Sequence, residues 1–144
     1  MNIYFCGSIR GGRDLAGTYA LMIEMLGSFG KVLTEHLGSN EEIESKDRIL
    51  SDKEIHDRDM KWIVESDLLV AEVTVPSLGV GYEIGRAIEM GKPVLCLFNR
   101  DSDHKISAMI SGCDDVEMKY YQSLDEVKEL FDAFFNLHAP HRTF

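Results

Sequence analysis

Short, continuous apolar runs alternate along this chain with longer segments in which apolar residues recur at helical spacing. Residues 67–73 (DLLVAEV) are apolar enough to be covered on both faces, as strands of a parallel sheet are. Residues 15–26 instead repeat apolar side chains at intervals of three and four, which is typical of an amphipathic helix. This alternation predicts an α/β fold: a doubly wound three-layer sandwich with a five-stranded, mostly parallel sheet of the flavodoxin or Rossmann-like kind.

The same patterns place the individual elements. The predicted strands cover residues 3–6, 32–34, 67–73, 93–98 and 116–121. The predicted helices cover residues 15–26, 51–65, 80–90 and 124–135, with a short helical piece at 106–110. Ser51 with Glu54, and Ser123 with Glu126, have the spacing of a capping box at a helix N-terminus. Residues 38–47 are polar, acidic and without a period, which predicts a mobile loop.

Length and charge limit the classes of protein that fit. The 144 residues predict a single α/β domain at 1–137 followed by a disordered tail at 138–144. The net charge of −10 would repel nucleic-acid phosphates, so no nucleic-acid polymer is expected as a partner. No apolar run approaches the roughly 20 residues that span a bilayer, so no membrane is expected either. Residues 2–6 predict a strand rather than a signal peptide.

The cysteine and histidine residues suggest neither a disulfide framework nor a metal site. Three cysteines without CxxC spacing favour a reducing compartment; we expect the cytoplasm, with entry into the nucleus left open. Cys6 and Cys96 fall in predicted strands, which favours inert core thiols. His36 and His56 are candidates for a pocket or for a structural role, and no histidine pair has metal-ligand spacing. We therefore expect no metal and no redox cofactor.

In a doubly wound sheet, ligands bind at the carboxyl ends of the strands, where the strand order reverses. The loop after the first predicted strand, residues 7–13, contains three glycines, the Ser8 hydroxyl and the Arg10 guanidinium ahead of a helix N-terminus. These groups suit a phosphate. The loop matches neither the GxGxxG nor the GxxxxGK[ST] pattern, so dinucleotide and NTP binding are not indicated. A flexible glycine turn with a solvated arginine is the alternative.

The loop after the third predicted strand, residues 74–81, offers a second group of donors. Ser77 and the amides around Gly79 precede a predicted helix. Glu83 lies one helical turn beyond Gly79, beside apolar positions of that helix. A carboxylate in such a place costs free energy unless it is paired or used. An ion pair with Arg86 is the alternative to a functional role.

Asp59 is a second acid in an unexpected place, because it falls on the stripe of its predicted helix that should be buried. Asp57 and Arg58 fall on the opposite side, which we expect to be solvated. A surface acid on a slightly rotated stripe is the alternative for Asp59. With Glu83 and two donor-rich loops, Asp59 favours chemistry on a sugar phosphate, because paired carboxylates commonly break glycosidic bonds.

Five segments are distinctive when taken together: YFCGSIRGG (4–12), VLTEH (32–36), AEVT (71–74), PSLGVGYE (76–83) and SAMI (107–110). They resemble the 2′-deoxynucleoside 5′-phosphate N-hydrolases, which belong to the nucleoside 2-deoxyribosyltransferase superfamily. The resemblance implies an N-glycosidase that splits a deoxynucleoside monophosphate into a free base and 2-deoxyribose 5-phosphate without a cofactor. It implies that Glu83 attacks the anomeric carbon and forms a covalent glycosyl-enzyme. Asp59 would orient Glu83 and assist proton transfer, and Tyr4 would lie near the reacting sugar.

The same resemblance implies how the substrate is held. The phosphate would contact the side chains of Ser8, Arg10 and Ser77 and the backbone of Gly7, Ile9 and Gly79. Ser107 and Met109 would come from a neighbouring subunit, so a homodimer with shared active sites is implied. A deoxyribosyltransferase and a non-catalytic nucleotide-binding module are the alternatives. The acidic segment 38–48 leaves the preferred base open, modified pyrimidines included.

Overall fold

The computed structural model describes residues 1–9, 15–47 and 49–139. The strands are β1 (Asn2–Cys6), β2 (Lys31–Val32), β3 (Leu68–Glu72), β4 (Val94–Asn99) and β5 (Val116–Tyr121). The helices are α1 (Ala16–Leu26), α2 (Asn40–Asp47), α3 (Asp52–Glu65), α4 (Leu78–Glu89), α5 (Ala108–Ser111) and α6 (Leu124–His138), with a 3-10 turn at Glu35–Gly38.

The described strands form one sheet in the order β2-β1-β3-β4-β5, and every neighbouring pair is parallel. β1 pairs with β3 so that Ile3 lies opposite Leu68 and Cys6 lies opposite Ala71. The strand order therefore reverses beside β1, and the loops after β1 and β3 leave the sheet side by side. The predicted fold class is confirmed, and the sheet is parallel throughout.

Helices cover both faces of the sheet with apolar side chains. On one face, Tyr19 of α1 and Phe131 of α6 pack with Phe5 and Val70. On the other face, a second cluster joins α3 and α4 to the strands through Ile63, Ile84, Tyr4, Cys6 and Leu69. Removal of these side chains from water is the main favourable contribution to folding. The packing also places α3 and α4 on the face of the sheet that carries Tyr4 and Cys6.

The two predicted capping boxes are confirmed. The Ser51 hydroxyl accepts a hydrogen bond from the Glu54 amide at 3.2 Å, and the Glu54 carboxylate accepts one from the Ser51 amide at 2.8 Å. Ser123 and Glu126 make the same reciprocal pair at the start of α6. Each box satisfies two backbone donors that have no partner inside the helix.

Residues 38–47 are not the predicted loop, because they complete the 3-10 turn and form α2. The Ser39 hydroxyl accepts a hydrogen bond from the Glu42 amide at 3.3 Å, and Glu41 and Glu42 lie in the first turn, where the helix dipole favours acids. Ile43 is buried in the core cluster that includes α1. A single apolar anchor leaves no period to detect, which explains the wrong prediction.

The last helix extends beyond its predicted end. α6 continues to His138, whose ring packs at 4.6 Å from the ring of Phe134, although the disordered tail was expected to begin there. Residues 140–144 of that predicted tail lie outside the described residues. None of the described helices, α6 included, is long and apolar enough to cross a membrane.

Candidate active site

A cavity of about 640 Å³ opens where the loops after β1 and β3 leave the sheet. Gly7 and Ile9 line it from the first loop, and residues 76–80 line it from the second loop and the start of α4. Glu83 lines it from the next turn of α4. The other lining residues come from α2 and α3: Asp47, Asp52, Ile55, His56 and Asp59. Glu83 and Asp59 thus share one cavity.

Glu83 is held by a tyrosine rather than by the arginine of its own helix. The Tyr4 hydroxyl donates a hydrogen bond of 2.9 Å to Glu83 Oε1, whereas Arg86 donates to the Tyr82 hydroxyl at 3.2 Å. Burial raises the pKa of Glu83 to about 7; the bond from Tyr4 opposes this rise, and the nearby charge of Asp59 adds to it. Near neutral pH this carboxyl is therefore present in both its protonated and its ionised form.

Asp59 lines the cavity with a side chain that is only 22% exposed. Arg58 Nε and Nη2 each lie 2.9 Å from Asp59 Oδ1. Burial raises the pKa of Asp59, and the hydrogen bonds and charge of Arg58 partly offset that rise. The geometry thus places this acid at the cavity rather than on an open helix surface.

The sequence pattern predicts a solvated Arg58, but its side chain is only 19% exposed. Its Nη1 donates to Asp47 Oδ1 at 2.8 Å, and its guanidinium lies 4.8 Å from the centre of the Trp62 ring. The long side chain wraps around α3 to reach both acids. Asp57, its neighbour, is exposed as predicted.

The start of α4 presents backbone donors to the cavity. Ser77 is the N-cap, and its hydroxyl accepts a hydrogen bond from the Val80 amide at 3.3 Å. The first intrahelical bond after the cap runs from the Gly81 amide to the Ser77 carbonyl at 3.1 Å. The amides of Leu78 and Gly79 precede it and have no acceptor within their own helix. Ser77 and Gly79 therefore lie where a phosphate would gain from the helix dipole.

The turn after β1 is shaped by Tyr19 of α1. The Tyr19 hydroxyl accepts a hydrogen bond from the Ser8 amide at 3.1 Å. A Cβ on Gly7 would lie 2.7 Å from Tyr19 Cζ, so the backbone approaches the ring more closely than another residue allows. Gly7 and Ile9 line the cavity, but the Ser8 side chain is fully buried and its hydroxyl has no hydrogen-bond partner among the described residues. Arg10 lies outside the described residues.

Ser107 and Met109 lie beside a second cavity of about 590 Å³, not the one that contains Glu83. The two cavities share the loop residues Pro76, Ser77, Leu78 and Val80 as walls. Ser107 caps α5 by accepting a hydrogen bond from the Met109 amide at 3.2 Å. The side chains of Leu78 and Met109 are 96% and 82% exposed. Within one chain, Ser107 and Met109 therefore contribute to neither the Glu83 pocket nor the core.

His56 lines the cavity, whereas His36 is buried beside Trp62 with ring centres 5.6 Å apart. His56 Nε2 lies 3.0 Å from the Tyr82 hydroxyl of α4, so the two side chains connect α3 to α4. The Tyr82 contact was not predicted, since it depends on how the helices pack. Over the described part of the chain, no group of histidines, cysteines and acids could hold a metal ion.

Comparison with known proteins identifies the family of this chain. A sequence model described as nucleoside 2-deoxyribosyltransferase matches residues 3–137. A 5-hydroxymethyl-dUMP N-hydrolase of Tetraodon nigroviridis is 50% identical over 94% of this chain and 98% of that protein. A protein named putative 2'-deoxynucleoside 5'-phosphate N-hydrolase 1, from Trichoplax adhaerens, is 50% identical over 94% of each chain. The 5-hydroxymethyl-dUMP N-hydrolase of Homo sapiens is 43% identical over 96% of this chain and 81% of its own length.

A solved structure shares the fold. The CMP N-glycosidase of Clostridium botulinum superposes with a TM-score of 0.62, at 20% identity, over 93% of this chain and 99% of that one. The extended sequence match and the identity to these relatives settle the family predicted from the sequence motifs. This chain belongs to the nucleoside 2-deoxyribosyltransferase family.

Proposed function

We propose that this chain hydrolyses the N-glycosidic bond of 2′-deoxynucleoside 5′-monophosphates to a free base and 2-deoxyribose 5-phosphate. The chain is an N-glycosidase, as its family and its relatives at 43–50% identity indicate. Relatives named for 5-hydroxymethyl-dUMP support a deoxynucleotide as substrate. The observation that carries the proposal is the partly buried Glu83 carboxyl, which accepts a hydrogen bond from Tyr4 and shares a cavity with Asp59.

The reaction we propose has two steps on the anomeric carbon. In the first, the Glu83 carboxylate forms a C–O bond as the C–N bond breaks, and the bonding electron pair leaves with the base. Asp59 gives the departing base a proton. In the second step, water attacks the same carbon, Asp59 takes up a proton from that water, and Glu83 leaves as a carboxylate. Burial raises the pKa of Glu83 to about 7 and raises the pKa of Asp59 above its ordinary value, which favours the protonated form that an acid catalyst needs.

The phosphate of the substrate would lie between the turn after β1 and the N-terminus of α4. Gly7 and Ile9 line the cavity on one side, and the helix dipole and first amides of α4 favour an anion on the other. Arg10 follows Ile9 directly in the sequence and would add a charged donor. The Ser77 hydroxyl lies at the same place, and the Ser8 hydroxyl would join by turning out of the core.

A second copy of the chain would complete this phosphate site. The Ser107 and Met109 side chains are exposed and line the second cavity, not the Glu83 cavity of their own chain. In a homodimer they would enter the partner's cavity instead. The exposed Leu78 and Met109 side chains would then be buried, and burial of apolar surface favours association.

The reaction is tested by measuring base release from deoxynucleoside monophosphates, the matching nucleosides and the ribonucleotides. We expect release from the deoxy monophosphates only, and equal turnover of a nucleoside would contradict the proposal. Glu83→Gln should abolish turnover and leave nucleotide binding nearly unchanged in calorimetry. Glu89→Gln, an exposed glutamate of the same helix, is the matched control and should behave as wild type.

The covalent step and the shared site need separate tests. Mass spectrometry of acid-quenched enzyme should show the added mass of 2-deoxyribose 5-phosphate on the peptide that contains Glu83, and its absence under single-turnover conditions argues for direct attack by water. Ser107→Ala should raise KM, whereas Ser111→Ala on the same short helix should not. Mixing the inactive Glu83→Gln chain with the Ser107→Ala chain should give one intact site with the wild-type KM per mixed dimer. A KM that stays at the Ser107→Ala value would argue against shared sites.

A further inference from the structure

An ion-paired triad joins α2 and α3 beside the cavity. The Arg58 guanidinium contacts Asp59 through Nε and Nη2, both 2.9 Å from Oδ1, and Asp47 through Nη1 at 2.8 Å. Both contacts to Asp59 go to Oδ1, so Arg58 holds this carboxyl through one of its two oxygens. Asp47 and Asp59 both line the cavity, and Arg58 lies behind them.

The triad differs from an ordinary surface ion pair. Its three side chains are 19–22% exposed, so water screens their charges only in part. Trp62 lies under the guanidinium at 4.8 Å and restricts it from one side. For comparison, Lys61 on the same helix pairs with Glu65 at 3.7 Å and is 74% exposed. Arg58 is thus fixed by three neighbours, while Lys61 has a single weak contact.

We propose that Arg58 is a positioning residue for catalysis: held from one side by Asp47 of α2, its guanidinium fixes the Asp59 carboxyl at the cavity. The proposal rests on the proposed function, because it assumes that Asp59 exchanges the proton. It also gives α2 a role, since this helix supplies the acid that competes with Asp59 for the same cation.

Arg58 and Asp47 act in opposite directions on the pKa of Asp59. Besides burial, the attraction of Arg58 favours the ionised form of Asp59, and the nearby Asp47 carboxylate disfavours it. The ionisable groups near Asp59 come from every element packed around it: Tyr4, Cys6, Asp47, His56, Arg58 and Glu83. Removing Arg58 should therefore raise the titration midpoint of Asp59, the pH at which half of its carboxyl is ionised. Removing the charge of Asp47 should lower that midpoint.

The experiment follows the Asp59 carboxyl carbon by NMR as the pH is changed, in wild type, Arg58→Met and Asp47→Asn. Loss of an opposite charge at this distance moves a carboxyl midpoint by roughly one to three pH units. We expect an upward move of that size in Arg58→Met and a smaller downward move in Asp47→Asn. The limb of the pH–kcat profile that Asp59 sets should move in the same directions.

Two further variants separate positioning from charge and from general damage. Arg58→Lys keeps the positive charge but loses the two-nitrogen contact to Asp59 Oδ1. We therefore expect the titration midpoint of Asp59 to stay near that of wild type while kcat falls. Lys61→Met removes one cation from the same helix without touching Asp59, and both readouts should match wild type. If Asp59 titrates identically in wild type, Arg58→Met and Asp47→Asn, the proposal is wrong.

The NMR readout needs no turnover, so the two proposals fail in different ways. Wild-type enzyme that releases no base from any deoxynucleotide, with the opposite midpoint moves intact, would overturn the proposed function alone. If wild type releases base but the Asp59 midpoint is the same in wild type, Arg58→Met and Asp47→Asn, the role of Arg58 alone is overturned. If Arg58→Met does not fold, the downward move in Asp47→Asn and the Arg58→Lys comparison still decide the question.

Discussion

Replacing Tyr4 by phenylalanine should move the rising limb of the pH–kcat profile to higher pH. The hydroxyl donates to Glu83 Oε1 at 2.9 Å and opposes the rise that burial causes in the pKa of that carboxyl. A hydrogen bond to a charged group contributes about 1.5–3 kcal/mol, and about 1.4 kcal/mol corresponds to one pH unit. Without it, the pKa of Glu83 should rise from about 7 to roughly 8–9.

The consequence for turnover follows from the fraction of Glu83 that is ionised. At pH 7 this fraction is about one half in wild type and should fall to roughly one tenth to one hundredth in Tyr4→Phe. We expect kcat at pH 7 to drop by about 5- to 50-fold and to recover as the pH approaches 9. The assay is a pH–kcat profile of base release by wild type and variant, measured at saturating substrate.

A matched control removes another buried tyrosine hydroxyl. Tyr121 is buried in the core on the opposite face of the sheet, so Tyr121→Phe should leave the acid limb of the profile where it is. A Tyr4→Phe enzyme that loses activity by the same factor at every pH would refute the reasoning. Tyr4 would then act on the sugar or the transition state, and not on the ionisation of Glu83.

Three further predictions concern the frame around the site. Tyr19→Phe leaves the buried Ser8 amide without its acceptor, so KM for the monophosphate should rise while kcat holds; an unchanged KM would contradict a link to the phosphate turn. Gly7→Ala would bring a Cβ within 2.7 Å of Tyr19, so thermal unfolding should occur at a lower temperature than in wild type. Burial raises the pKa of Glu72 from 4.5 to about 7, so wild-type stability should fall as pH rises through that range and then level off. Glu72→Gln, which keeps an acceptor for Thr74, should remove that fall and gain on the order of 1–3 kcal/mol over wild type at pH 8 relative to pH 4.5 in urea titrations.

The parts of the structure that follow from periodicity and local hydrogen bonding were predictable. The run at 67–73 contains β3, and the run at 93–98 covers all of β4 except Asn99. The Ser51 and Ser123 caps begin α3 and α6. Glu83 and Asp59 stood out for a related reason, since an acid at an apolar position conflicts with the pattern around it. The place of Glu83 also follows from the fold class, because α4 begins at the edge where the parallel strands have their carboxyl ends, whereas the place of Asp59 in the middle of α3 depends on how that helix packs.

The parts that depend on contacts between elements were not predictable. Arg58 was assigned to solvent from its helical position, but a side chain of that length can wrap back to Asp47 and Asp59. α2 has one buried anchor, Ile43, and therefore no period. Ser8 is buried where its amide donates to the Tyr19 hydroxyl. The helical pattern of α1 predicts only that Tyr19 is a core residue, and it does not predict this hydrogen bond.

The central position of β1 has a consequence for how the protein folds. Parallel neighbours cannot be joined by a tight hairpin, so every strand pair must close a long loop. The Asn2 amide at the start of β1 bonds to Asp67, 65 positions along the chain, and Tyr4 meets Glu83 across 79 positions. Helices can form within their own segments, but the pair of Tyr4 and Glu83 assembles only when distant strands have docked. During refolding, recovery of turnover should therefore follow the recovery of helical circular dichroism, and catalysis reports on completion of the sheet.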